Sequence, residues 1–163
     1  MNYLRLPYLT TPDKPLIETN WQYIKYFKPT EFACPCPEHK GKPVYDMSSN
    51  LVLALVNLRE LINKPIIITS GWRCPKHNAE VGGRPDSPHL YKCAVDITIS
   101  DVNFDRLVEL YLACEHIGFK GIGFYPVKKI IHIDMHNRIQ RWLCDASGDY
   151  IYLFTLANYI VKK

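Results

Sequence analysis

Apolar positions recur every three or four residues through MSSNLVLALVNLRELINK, where Leu51, Leu55, Leu58 and Ile62 share one helical face and Ser48, Ser49 or Asn50 can cap the start. A second such segment, NFDRLVELYLACEHIG, predicts a helix from an Asn103 cap to a Gly118 stop. Other runs have strand character. PIIITSG is apolar on both faces and ends at Gly71, and AVDITIS follows as the next strand. GIGFYP, a turn at Val127–Lys129 and IIHIDMH predict a hairpin, and YIYLFTL a last strand. Between the first two strands lies WRCPKHNAEVGGRPDSP, read as a long irregular loop of the kind that carries function. KPTEFAC allows a short helical turn with Thr30 as its cap. Residues 1–25, rich in Tyr, Pro and Thr, read as an extended arm over the surface, and 26–163 as one globular domain. Two helices against a small, mostly antiparallel sheet place the chain in the α+β class.

Composition narrows the function classes without choosing one. The chain has 163 residues, 47% of them apolar, and a net charge of +4, values ordinary for one globular domain. No basic tract with interleaved aromatics argues for nucleic acid. The opening MNYLRLPYLTTPDKPLIETN lacks the apolar core of a signal peptide, and no run is long enough to span a membrane. The expectation is a monomer made in the cytoplasm that needs separate delivery to act outside it. Six cysteines without a dense framework are then expected as thiols, with Cys93 and Cys114 in the core.

The chemistry concentrates in SPHLYKCAVDITIS and IIHIDMH. Asp96 stands among Ala94, Val95, Ile97 and Ile99, where an unpaired carboxylate costs several kcal/mol. In IIHIDMH the alternation puts His132, Asp134 and His136 on one face and Ile131, Ile133 and Met135 on the other. A solvated sheet face would tolerate such a row. Zinc accounts for more, because it takes imidazole and carboxylate together and would pair with Asp96, His89 and His132 at once. Two Cys-x2-His pairs, Cys36 with His39 and Cys74 with His77, could also build a separate structural zinc site, or else be packed thiols and a capping histidine.

These residues carry a resemblance. Ser70-Gly71-Trp72-Arg73, His77-Asn78, Gly82-Gly83, Ser87, His89 and Asp96, then GIGFYP and HIDMH, resemble the signature of the zinc D-alanyl-D-alanine carboxypeptidase family, which includes peptidoglycan peptidases and phage endolysins. YFKPTEFACPC and Arg141-Trp142 are similar to the family's two edges, so the likeness runs from about residue 26 to about 153. It implies the α+β fold shared with the hedgehog signalling domain. It further implies zinc on His89, Asp96 and His132, a substrate-holding Arg73 and a hydrogen-bonding Ser87. The substrate class implied is a peptidoglycan peptide, and the missing leader suits phage lysis or virion delivery.

Two positions depart from the pattern. Lys92 stands where the family often has glycine. Lys129 stands where relatives commonly carry an acidic general base, three residues before the last histidine. Asp134, with His136 behind it, is the substitute candidate, and its alternative role is to orient a ligand. If no base is present, the domain becomes a zinc-containing cell-wall-binding module or a virion structural protein.

Overall fold

The computed structural model describes residues 13–152. Helix α1, Ser49–Ile62, begins where Ser48 accepts a bond from the Leu51 N–H and ends at Asn63 in the left-handed region. Strand β1 is Ile66–Ser70, α2 is Pro75–Glu80 and β2 is Ala94–Ile99. Helix α3, Phe104–Ile117, starts at an Asn103 cap and stops at Gly118, whose φ of 91° suits a residue without a Cβ. Strands β3 (Gly121–Tyr125), β4 (Ile130–Asp134), β5 (Gln140–Cys144) and β6 (Tyr150–Tyr152) complete the sheet.

The strands lie in the order β1-β2-β4-β3-β5-β6, antiparallel throughout except for the parallel pair β3–β5. The fold class is therefore α+β, as the pattern predicts. Helices α1 and α3 cover one face. Leu51, Leu55, Leu58, Leu107, Leu110 and Tyr111 pack there with Val95, Ile97, Ile122, Phe124, Ile131 and Ile133. Each such side chain contributes roughly 1.5–3 kcal/mol relative to exposure, which is what holds the sheet rigid beneath the site.

Several expectations are revised. The loop 72–88 is not structureless: α2 crosses it, and Pro88–Tyr91 forms a 3-10 turn. Pro75 at the first turn and Asn78 bonded to the Arg84 carbonyl order it locally. Thr30 lies inside the 3-10 turn Pro29–Phe32, and the entry is closed instead by the Glu31 carboxylate accepting the Lys28 N–H at 2.7 Å. Of the arm, residues 1–12 lie outside the described residues. Leu16 and Trp21 are buried in the core, with Trp21 donating to the Tyr45 carbonyl. Their size and apolarity outweigh the loop-like composition around them. Strand β5 adds a sixth ribbon in place of a chain edge, and YIYLFTL is a strand only as far as Tyr152, the rest lying outside the described residues.

Candidate metal centre

On the sheet face opposite the two helices, one row of paired residues runs Ser70, Asp96, His132, Gly123, Trp142, each the Cα partner of the next. Register thus sets Asp96 beside His132 on neighbouring strands. The next row sets Asp134 against Gly121. The two glycines are needed for space: a Cβ at Gly121 would strike the Asp134 carboxylate, and one at Gly123 the Trp142 indole. His89 arrives from outside the sheet, on the turn Pro88–Tyr91. That turn ends at Lys92 with φ 57°, so the position where glycine is expected keeps its left-handed backbone with a lysine. Lys92 is held there by the Asp46 carboxylate and lies 5.3 Å from the Trp72 ring centre.

Three donor atoms converge. His89 Nε2 is 3.1 Å from His132 Nδ1, and Asp96 Oδ1 is 2.9 Å from His132 Nδ1 and 3.4 Å from His89 Nε2. Tetrahedral zinc bound at about 2.0–2.1 Å to nitrogen and oxygen requires edges of about 3.3 Å. The far side of each ring is occupied. His89 Nδ1 donates to the Gly71 carbonyl at 2.7 Å, and His132 Nε2 to Asp134 Oδ2 at 3.1 Å. With the outward nitrogens so engaged, both inward nitrogens sit beside a carboxylate oxygen, an arrangement that a cation, proton or metal, would satisfy. All three residues are buried, so solvent does not supply it. The donor set fits zinc.

Electrostatics agree with a site built for positive charge. Burial holds the His89 imidazolium below its ordinary range. At His132 burial acts the same way, but hydrogen bonds to Asp134 and Asp96 outweigh it and raise the pKa to about 8. Burial opposes charge on Asp96 and Asp134 as well, yet the neighbouring imidazoles keep both carboxyls below the usual range.

A family model described as Peptidase M15 matches residues 25–134, a stretch that contains every residue just described except Trp142. The chain belongs to the peptidase M15 family. It is therefore in a family of peptidases, which are hydrolases. No curated protein matches it. Within this M15 peptidase, Arg73 lies against the centre: one terminal nitrogen contacts Asp96 Oδ2 at 2.6 Å and Nε donates to Ser70 Oγ at 3.0 Å. Asp96 Oδ1 is left facing the two histidines. Ser87 is buried two residues before His89.

Asp134 is fully buried and both its oxygens are used, Oδ2 by His132 and Oδ1 by the His136 backbone N–H at 2.9 Å. It faces the side of His132 away from the converging atoms. His136 falls beyond the end of β4, with its ring stacked on Tyr91 at 5.8 Å and Nδ1 4.0 Å from the Cys93 sulfur. Lys129 is exposed in the β3–β4 turn, and its carbonyl accepts from Thr98.

A second group forms elsewhere from Cys34, Cys36, His39 and Cys74. His77 is not among its donors: its Nδ1 lies 3.7 Å from Glu80, while its backbone N–H points at the Cys74 sulfur. Trp142, the Gly71 carbonyl and Cys34 are the participants that sequence reasoning did not pick out. Arg141-Trp142 stood only as a family edge there, and no spacing rule links a carbonyl to a ring.

Proposed function

We propose that this M15 peptidase is a zinc-dependent hydrolase of peptidoglycan stem peptides or cross-links. The observation that carries the proposal is the buried triangle of His89 Nε2, His132 Nδ1 and Asp96 Oδ1, with edges of 2.9–3.4 Å. Zinc held there supplies Lewis-acid polarisation of a peptide carbonyl and acidification of water.

The remaining steps belong to the chain's own groups. Gly71 and Asp134 fix the tautomers of the two histidines, so that each keeps its metal-facing lone pair. Arg73 holds one oxygen of Asp96 and uses two of its five N–H donors in doing so and in binding Ser70. The others suit the terminal carboxylate of a D-alanyl peptide or the developing oxyanion. Ser87 is read as a substrate hydrogen-bonding group. Asp134, weighed from sequence as base or orienting group, is read here as the orienting group, because it is fully buried and faces the side of His132 away from the converging atoms. His136, half-buried just beyond the end of β4, is read as the group for proton transfer.

No helix of the described residues is long and apolar enough to cross a membrane. Delivery by phage lysis or in a virion is part of the proposal. The test is mass spectrometry of purified peptidoglycan digested with zinc-loaded protein, with His89→Ala as control. New stem-peptide termini or released D-alanine that vanish in the control are expected. Binding to sacculi without any new terminus would replace the enzyme reading with a wall-binding module.

A further inference from the structure

We propose that Cys34, Cys36, His39 and Cys74 form a second, closed zinc site that is structural and separate from the His89–Asp96–His132 centre. Their donor atoms all lie within 4.8 Å of one another. The Cys36 and Cys74 sulfurs are 3.9 Å apart, and Cys36 Sγ is 3.0 Å from His39 Nδ1. Zinc with bonds of about 2.3 Å to sulfur and 2.0–2.1 Å to nitrogen needs edges of about 3.8 Å and 3.5 Å, so the Cys36–Cys74 edge already fits and the Cys36–His39 edge differs by about half an ångström.

The surroundings are those of a ligand set and not of a packed core. Cys34, Cys36 and Cys74 are buried together in their own small cluster, apart from the main core, with Trp72 against it. All six cysteines are thiols. Backbone N–H groups point at the sulfurs: Cys74 N–H at Cys34 and His77 N–H at Cys74, each at 3.4 Å. Ligating sulfurs in a metal site accept N–H groups in this way. The turn is shaped to present its donors, since the Cys36 carbonyl accepts both the His39 and the Lys40 N–H. His39 is held edge-on to Trp72 with ring centres 5.0 Å apart. Three thiolates and an imidazole are a donor set for tetrahedral zinc, and four protein ligands leave no position for substrate.

The consequence is mechanical. Cys34, Cys36 and His39 follow the turn Pro29–Phe32, whereas Cys74 lies 38 residues beyond Cys36. An ion there staples the two segments. The strapped segment is the one whose Gly71 carbonyl sets the His89 tautomer and whose Arg73 holds Asp96.

The experiment is cobalt substitution followed by metal counting. Because the first centre has no sulfur ligand, a thiolate-to-cobalt charge-transfer band in the wild-type protein reports the second site alone. That band is expected, together with two zinc ions per chain in the native protein. One ion should remain in His89→Ala, one should be lost in Cys34→Ser or Cys74→Ser, and none should be lost in His77→Ala. If a cysteine variant fails to fold, the wild-type cobalt spectrum still decides. Absence of the band, a disulfide among residues 34, 36 and 74 in non-reducing mass spectrometry, or loss of the ion in His77→Ala with retention in Cys34→Ser would each overturn the proposal.

Discussion

Replacing Asp134 by asparagine separates the two roles open to it. The side chain accepts two N–H donors on different oxygens, from His132 Nε2 at 3.1 Å and from the His136 backbone at 2.9 Å. Asparagine offers one acceptor oxygen and one NH2 group, so one donor is left facing another donor. A buried group deprived of its partner costs about 1–3 kcal/mol, and the charge assistance to His132 is lost as well. That energy falls on the ring proposed as a zinc ligand. Zinc affinity should therefore drop about 10–100-fold, the range expected when the support of a ligating histidine is removed. A competition titration against a chromophoric chelator measures it. At saturating zinc the turnover number should fall by less than about tenfold, because no proton passes through Asp134. Unchanged affinity with a loss of about 100-fold or more in turnover, the signature of a missing general base, would refute the reasoning.

Three further outcomes are expected. In chelator-treated protein the His132 pKa is about 8 against an ordinary 6.5, so its contribution to stability is present in full below pH 6.5 and lost as pH rises through about 8. The stability advantage of wild type over His132→Asn in urea melts should shrink by about 2 kcal/mol between pH 6.5 and about 9, and a constant advantage would contradict it. Gly71→Ala would place a Cβ 2.5 Å from the Phe32 carbonyl oxygen, displacing the backbone that also receives the Trp72 N–H, and should cost about 1–3 kcal/mol in thermal unfolding. Glu115→Ala strips Arg141 of its two-pronged partner at 2.7 and 3.0 Å, leaving a mostly buried guanidinium on carbonyls alone, with an expected loss of about 1–3 kcal/mol by denaturant unfolding.

Much of the scaffold is legible from local pattern. Leu51, Leu55 and Leu58 predict a helix because apolar spacing and a serine cap are properties of a single segment, and Asn103 with Gly118 frame α3 for the same reason. The anomaly of Asp96 is equally local: a carboxylate in an apolar strand demands a partner wherever the strand lies. The burial of Leu16 and Trp21 is not legible in this way, since what buries them is the rest of the domain and not their neighbours in sequence.

Sequence by itself determined that a carboxylate stands in an apolar strand at Asp96 and that His132 and Asp134 share a face, because strand alternation follows from the geometry of one chain. Tertiary structure decided what they touch. Register placed His132 beside Asp96, and glycines at 121 and 123 made room for Asp134 and Trp142. Packing turned Asp134 towards the back of an imidazole and brought Cys34 into the thiol cluster while His77 faced Glu80. Those outcomes depend on distances between atoms far apart along the chain, which residue spacing does not encode.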